Sequence, residues 1–315
     1  MPKIALCIGI DHYDWSPLNG CVADAKSMSE ALKYHDNEER NFTCKTLLSS
    51  TDATITERKL RKEIHDFFKR PADVALFFFA GHGGENDNGG YIMPQDADKY
   101  DLGFPFSELI ECAVKSEIRD IFIILDCCHA GKINEGGFSG VSIGRPGISI
   151  LTASLPEQYS GERGGRGLFS SIIEMGLKGN AADLLGNVTA AGLYNYADQM
   201  LGPFVQRPMF KTHVSGFKVL RKCKAKISKQ LLRKLPDYFP EMVYQYPLDP
   251  SYEPTAEPSH SENEAKFAEL QKYVQAGLVE PVGEEHMYFA AMNSTSCQLT
   301  NAGKAYWSIA EKDLL

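Results

Sequence analysis

Two of the most apolar runs in the chain are each followed by residue types that can catalyse a reaction. The first run ends at Phe79 and leads into the sequence Ala-Gly-His-Gly-Gly, with His82 at its centre. The second ends at Leu125 and leads into Asp-Cys-Cys-His-Ala-Gly, which contains Cys127 and Cys128. An imidazole within reach of a thiol removes its proton, giving a thiolate nucleophile and later a general acid for a leaving amine. These residue types point to amide hydrolysis.

The histidine and the cysteines meet only if the two runs are neighbouring strands of one sheet. Their apolar residues do not alternate with polar ones, which is typical of strands buried on both faces. Strands are predicted at 3–10, 43–48, 73–79, 121–125 and 148–151, and helices at about 22–34, 54–69, 106–115 and 169–177. This alternation predicts an α/β fold with a mostly parallel sheet covered by helices. Ligands bind beyond the carboxyl ends of such strands, where the Gly83 N–H can stabilise an oxyanion.

Composition excludes several other classes of protein. The chain has 315 residues, of which 43% are hydrophobic and 23% charged, so it is neither disordered nor fibrous. A formal net charge of -8 argues against a dedicated nucleic-acid coat. The eight cysteines form no CxxC pair, which argues against a disulfide framework and a zinc site. No signal peptide and no apolar run of membrane-spanning length is recognisable, so we expect a soluble protein of the reducing cytoplasm.

The chain is expected to have three parts. Residues 1–217 form the α/β domain. Residues 218–261 hold a basic helix, with eight Lys and Arg and no acid up to residue 234, followed by a proline-rich extended linker. Residues 262–315 are predicted to form a helix, a hairpin through 287–292 and 297–299 and a final helix, which is a winged-helix-like arrangement. That fold serves DNA binding and protein interaction alike.

The sequences around His82 and Cys128 resemble the two signatures of the caspase-like fold, in its metacaspase and bacterial branch. Residues 6–10 and 18–25 are similar to the first strand and first helix of that branch, and residues 94–97 resemble the segment after its histidine loop. The resemblance covers about residues 1–215. It implies that His82 is the general base and acid, that Cys128 rather than Cys127 is the nucleophile, and that the N–H groups of Gly83 and Cys128 form the oxyanion hole.

The same resemblance implies a pocket for the substrate residue before the cleaved bond. Asp24 and Asp126 are its acidic candidates, with Cys21 beside them. Carboxylates in a pocket favour Arg or Lys, so cleavage is expected after a basic residue. The family often has Ser where this chain has Ala80, which removes one pocket hydroxyl.

Two further features of the sequence can each be interpreted in two ways. Several metacaspases need calcium, and an acidic group follows the histidine loop: Glu85, Asp87, Asp96, Asp98 and Asp101. It is either a calcium site or a solvated acidic loop, and it lacks EF-hand spacing, so no metal site is assigned and no cofactor is obligatory. The glycine-rich segment 161–167 is either a self-cleavage site at Arg163 or Arg166, or simply a mobile loop.

The sequence therefore predicts a cysteine endopeptidase that cuts protein or peptide substrates after Arg or Lys, acting in regulated proteolysis in bacterial signalling or antiviral defence. We expect a regulatory protein to bind the C-terminal part, and we expect no binding to a membrane or to a nucleic acid. Two alternatives remain: a catalytically idle caspase-fold scaffold, and a nucleic-acid-binding regulator that acts through its winged helix and the basic run at 218–234.

Overall fold

The computed structural model describes ten stretches of the chain. These are residues 2–50, 54–87, 89–98, 100–127, 145–153, 162–163 (backbone only), 165–202, 207–214, 216–258 and 260–315. The chain forms two compact units, Met1–Lys224 and Ala225–Leu315.

A six-stranded sheet is the centre of the first unit. Its strands are β1 (Lys3–Gly9), β2 (Thr43–Leu48), β3 (Val74–Ala80), β7 (Asp120–Asp126), β8 (Ile148–Thr152) and β12 (Met209–His213). Shorter strands lie outside it, in one three-stranded sheet, β4-β5-β6, and two pairs, β9 with β10 and β11 with β13. They are β4 (Gly83–Asn86), β5 (Gly89–Ile92), β6 (Phe104–Pro105), β9 (Glu162–Arg163), β10 (Arg166–Gly167), β11 (Asn187–Val188) and β13 (Arg221–Lys222). The order in the sheet is β12-β8-β7-β3-β1-β2, and only β12 runs antiparallel to its neighbour. The predicted mostly parallel sheet is confirmed.

Helices cover both faces of this sheet, which explains the unbroken apolar strands. They are α1 (Cys21–Lys33), α2 (Glu57–Phe68), α3 (Phe106–Lys115), α4 (Leu168–Met175) and α5 (Ala190–Leu201), and a π-helical turn spans Gly176–Asn180. Along β3, Phe77 and Phe79 pack with α2 and α3, whereas Leu76 and Phe78 pack with α1, α4 and α5. Successive side chains of a strand point to opposite faces, so both sets must be apolar.

Strand register decides which loops meet. β3 lies between β1 and β7, with Ala80 opposite Gly9 on one side and Asp126 on the other. The backbone N–H of Gly81 donates to the carbonyl of Asp126 at 3.3 Å, and that of Ile10 donates to the carbonyl of Ala80 at 3.0 Å. The segments that follow β1, β3 and β7 therefore leave the sheet at one edge.

One predicted helix start differs slightly from the structure. The helix predicted from about residue 54 begins at Glu57, and its cap is Thr56, whose hydroxyl accepts the Lys59 N–H. The reason is that the capping hydroxyl must directly precede the first helical residue to reach N–H groups of the first turn.

The boundary predicted at 217/218 is corrected to 224/225. Residues 218–224 do not start a basic helix, because they run along the first unit as an extended segment. The carbonyls of Val219 and Leu220 accept hydrogen bonds from the side chains of Lys3 and Asn41, and β13 pairs with β11. Helix α6 is confined to Lys229–Arg233.

The second unit combines short helices with a three-stranded antiparallel sheet. Its helices are α6 (Lys229–Arg233), α7 (Leu235–Tyr238), α8 (Ser261–Gln275), α9 (Met287–Met292) and α10 (Asn301–Glu311). Its strands are β14 (Gln245–Pro247), β15 (Val279–Val282) and β16 (Ser296–Leu299), in the order β14-β16-β15, and a 3-10 turn spans Pro250–Tyr252. Phe239, Phe267 and Tyr273 are buried in its core.

Two predictions for this unit are wrong. The stretch 236–258 is not an extended linker, because aromatic and apolar residues between its prolines, Phe239, Leu248 and Tyr252, are buried in the unit. The predicted hairpin strand at 287–292 is helix α9, and β16 pairs instead with β15 and β14. The winged-helix-like assignment of 262–315 stays a prediction. Among the described residues, no helix has the length and apolar character needed to cross a lipid bilayer.

Candidate active site

His82 lies directly beyond β3, at the edge where β1 and β7 also end. Its backbone N–H donates to the hydroxyl of Tyr13 at 3.1 Å, and this hydroxyl donates to the carbonyl of Met93 at 2.9 Å. Burial raises the pKa of the Tyr13 hydroxyl, so it keeps its proton and can accept one bond while donating the other. The histidine backbone is thereby fixed between two loops.

Among the described residues, the imidazole has a hydrogen bond to Ser16. Nε2 of His82 lies 2.7 Å from the carbonyl oxygen of Ser16. A carbonyl can only accept, so Nε2 carries the proton, and in the neutral ring Nδ1 is left unprotonated. His82 is therefore held in the tautomer that makes Nδ1 the base.

Two aromatic rings pack against this imidazole. Trp15 stacks on it with ring centroids 4.6 Å apart and an angle of 30°, and Tyr13 meets it edge-on, also at 4.6 Å. Sequence reasoning missed Tyr13, Trp15 and Ser16. The available signal was topological, because the loop after β1 lies at the same sheet edge as the loop after β3.

The nucleophile predicted from the family signature, Cys128, lies outside the described residues, so its distance to His82 and its place in the oxyanion hole stay predictions. Its neighbour Cys127 is described and fully buried. Gly83, the other oxyanion candidate, is half-buried at the start of β4, opposite Ile92 of β5.

The two carboxylates predicted for the substrate pocket approach one point. A Cβ atom placed on Gly167 would lie 2.5 Å from Oδ2 of Asp126 and 3.0 Å from Oδ2 of Asp24. A side chain at position 167 would therefore have to displace one of these carboxylates. Cys21 is the buried first residue of α1, one helical turn before Asp24, and its N–H donates to the carboxylate of Asp11 at 2.7 Å.

Both carboxylates already have partners from the segment 166–170. Oδ1 of Asp24 accepts Nε of Arg166 at 2.7 Å, and Oδ2 accepts the Gly167 N–H at 2.9 Å. Oδ2 of Asp126 accepts the hydroxyl of Ser170 at 2.5 Å and its N–H at 3.1 Å. Burial raises the pKa of the Asp24 carboxyl, and the bonds from Gly167 and Arg166 oppose that rise.

A third acid, Glu174 of α4, completes this arrangement and was missed by sequence reasoning. Nη1 of Arg166 lies 2.7 Å from its carboxylate, as does the ammonium of Lys178. Burial disfavours the charge of Glu174, but the bonds from Lys178 and Arg166 outweigh it and lower the pKa of this carboxyl. Nη2 of Arg166 is buried without a hydrogen-bond partner in the part of the chain that the structure describes. We call Asp24, Arg166 and Glu174 the pocket cluster.

The other predicted cleavage residue, Arg163, has a described backbone only. It pairs with Arg166 across the β9–β10 hairpin. The side chain of Arg163 lies outside the described residues.

The acidic residues after the histidine loop are used locally where the structure shows their bonds. The carboxylate of Asp96 accepts the Glu57 N–H at the start of α2, and that of Asp98 accepts two backbone N–H groups of its own loop. Within the described ranges, no three His, Cys, Asp or Glu side chains are arranged to hold a metal ion. Calcium binding stays an open prediction.

Comparison with known proteins identifies the class. The profile of the caspase domain family, Peptidase_C14, matches residues 2–215. The chain therefore belongs to the caspase domain family of cysteine-type peptidases, which confirms the resemblance seen in its motifs.

The individual relatives are distant. The chain is similar to Metacaspase-1 of Botryotinia fuckeliana, with 26% identity over 205 residues that cover 58% of this chain and 46% of the relative. It is also similar to Metacaspase-2 of Trypanosoma brucei brucei, with 29% identity over 160 residues that cover 44% and 45%. The chain thus spans about half the length of these relatives.

Solved structures agree on the fold. A protein of Geobacter sulfurreducens has a TM-score of 0.53 and 19% identity, and the match covers 70% of this chain and 97% of that one. Caspase-1 from Spodoptera frugiperda has a TM-score of 0.52 and 15% identity, with 70% and 90% covered. At these identities the likeness establishes the fold alone.

Proposed function

We propose that this chain is a cysteine endopeptidase that hydrolyses peptide bonds after Arg or Lys, with Cys128 as the nucleophile and His82 as the base. The observation that carries the specificity is the convergence of Asp24 and Asp126 on Gly167, beside the strand end that leads to Cys127. The hydrogen bonds of His82 support the base, because they leave Nδ1 free of a proton in the neutral ring.

The reaction follows from these groups. Nδ1 of His82 takes the thiol proton of Cys128, and the thiolate attacks the carbonyl carbon of the substrate. The N–H of Gly83 stabilises the negative oxygen of the tetrahedral intermediate. The imidazolium then protonates the leaving amine, and a water molecule, deprotonated by His82, hydrolyses the thioester.

Arg166 supports a basic preference in a direct way, since Asp24 binds its guanidinium in the pocket cluster. A basic substrate side chain would need the same partner, so it must displace Arg166 or bind Asp126. We propose that the β9–β10 hairpin is also the self-cleavage segment, with Arg166 or Arg163 before the cleaved bond.

The test uses fluorogenic peptides that differ only in the residue before the cleaved bond, which is Arg, Lys, Ala or Asp. We expect hydrolysis of the Arg and Lys peptides, loss of at least about 1,000-fold in kcat in Cys128→Ala and His82→Ala, and near-normal activity in the matched control Cys127→Ala. Intact-mass spectrometry of the same samples monitors self-cleavage, which Cys128→Ala should prevent. Preferred cleavage after Asp, or full activity in Cys128→Ala, would contradict the proposal.

For the second unit, a protein contact is the role that its surface favours. Tyr288, Phe289 and Met292 of α9 are each more than a third exposed, which is typical of interaction surfaces rather than of nucleic-acid contacts. We therefore propose a regulatory protein partner for this unit, and regulated proteolysis in bacterial signalling or defence as the setting.

A further inference from the structure

Trp15 is exposed to solvent on one side and packs against the imidazole of His82 on the other. It lies in the loop between β1 and α1, and 52% of it is accessible to solvent. One face of its indole lies on the imidazole of His82, with centroids 4.6 Å apart and the planes 30° from parallel. Tyr13 packs edge-on against the same imidazole, and the centroid of its ring lies 5.4 Å from that of the indole.

These contacts complement the hydrogen bond to Ser16. The bond at Nε2 fixes one atom of the ring and by itself allows the ring to tilt about that bond. The indole on one face and the phenol at the edge remove this freedom, so the direction of Nδ1 is set by three contacts. Trp15 and Ser16 are adjacent in sequence, so one loop supplies both the stacking ring and the hydrogen-bond acceptor.

The indole also has an electrostatic effect. The face of an aromatic ring is negative and attracts a cation lying over it, and tryptophan is the most effective of the aromatic side chains. During general acid–base catalysis the imidazole alternates between a neutral and a cationic form. The stack therefore favours the imidazolium that must form when the thiol loses its proton.

We propose that Trp15 is a positioning residue for His82, which holds the imidazole plane so that Nδ1 is presented to the thiol and stabilises the imidazolium. This inference rests on the proposed function for its catalytic consequence, whereas the stack itself can be tested without any activity.

The first experiment measures tryptophan emission. The chain has two tryptophans, and the other, Trp307, is buried in the second unit. The emission of Trp15 is obtained by subtracting the spectrum of Trp15→Phe from that of the wild type. A protonated imidazole quenches the fluorescence of an indole stacked on it, so the spectra are recorded in mildly acidic buffer, where an imidazole is protonated. Under that condition this difference should be larger when both proteins also carry His82→Ala, and unchanged when they carry His65→Ala. An unchanged difference in the His82→Ala pair would overturn the stack.

The second experiment measures kinetics on the Arg peptide. For Trp15→Ala we expect kcat to fall about 10-fold, with KM within about twofold of the wild type, because the interaction acts on the imidazolium and not on substrate binding. Trp15→Phe should retain most of kcat, since a phenyl ring can stack in the same place. The matched control is Tyr34→Ala, an aromatic residue of similar exposure at the far end of α1, which should leave both constants unchanged.

Three outcomes overturn the inference: an unchanged kcat in Trp15→Ala, a rise in KM with no fall in kcat, or a Phe variant as slow as the Ala variant. Thermal melts of every variant show whether a loss is one of folding. If the wild type hydrolyses no peptide, the proposed function fails, while the emission experiment still decides whether Trp15 lies on His82.

Discussion

Two clusters in the first unit contain the same kind of ion pairs but lie in different surroundings. In each, an arginine bridges two carboxylates: Arg166 binds Asp24 and Glu174 in the pocket cluster, and Arg61 binds Glu57 and Glu108 between α2 and α3. We call the latter the helix cluster.

The two clusters differ in burial and in what carries the arginine. The side chains of Asp24 and Glu174 are 1% and 10% exposed, whereas those of Glu57 and Glu108 are 22% and 23% exposed. Arg61 extends from a helix, but Arg166 extends from a two-residue strand of a short hairpin. A partly exposed ion pair on helices stabilises weakly and is screened by water, whereas buried carboxylates depend strongly on a cation. The comparison suggests that the pocket cluster is built to hold a guanidinium, and the helix cluster to join two helices.

The largest expected effect is on substrate selectivity, which should depend on the pocket cluster and not on the helix cluster. Asp24→Asn should lower the ratio of kcat/KM for an Arg peptide to that for an Ala peptide by about 100-fold, because a buried carboxylate that meets a cation is lost. Glu108→Gln, a matched change in the helix cluster, should leave this ratio unchanged. The ratio is insensitive to the fraction of folded enzyme, so equal ratios in wild type and Asp24→Asn would rule out Asp24 as the selective residue.

The next effect concerns stability. Arg166→Ala should lower the free energy of unfolding by about 3 kcal/mol, because it leaves the buried Asp24 without its cation and Glu174 with Lys178 alone. Arg61→Ala, whose carboxylate partners are more exposed to water, should lower it by about 1 kcal/mol. Urea unfolding of both variants measures the difference.

A small guanidinium compound sharpens this comparison. Added ethylguanidinium should raise the Tm of Arg166→Ala more than that of Arg61→Ala or the wild type, because only the first variant has a vacated buried site for it. Equal shifts in all three proteins would contradict a pocket that selects a guanidinium.

The smallest effect is a pH dependence in the helix cluster. Burial disfavours the charge of Glu108, but hydrogen bonds from Arg61 and His65 prevail and lower the pKa of this carboxyl. A lowered pKa in the folded state gives stability above the unfolded pKa that is lost as the pH falls through the folded value. Glu108→Gln should therefore destabilise by about 1 kcal/mol at neutral pH and by nothing in strong acid. Urea unfolding of the wild type and Glu108→Gln from neutral pH to strong acid tests this prediction. A stability difference between the two proteins that persists in acid would assign the loss to packing.

Much of the site was predictable because its residues follow the strongest strands. The unbroken apolar runs around Phe79 and Leu125 predicted two buried strands, and His82 and Cys128 follow the ends of these strands in the sequence. The convergence of Asp24 and Asp126 followed from the family signature. The partners of these acids did not, because Arg166 and Glu174 come from segments whose spacing carries no pocket pattern.

The C-terminal unit shows the opposite case. Its prolines suggested an extended linker, yet Phe239 and Tyr252 are buried in a folded unit. Short elements of this kind gain their stability from tertiary packing rather than from local propensity, so composition misled the prediction there.

The sequence by itself determined the α/β class, the positions of the long strands and the residue types at their ends, because burial on both faces of a sheet leaves a local, readable pattern. Only the tertiary structure decided that Ser16 and Trp15 hold the imidazole of His82 and that Arg166 lies on Asp24. These contacts join segments far apart in the chain, and their geometry depends on strand register and loop path, which no local pattern of residues encodes.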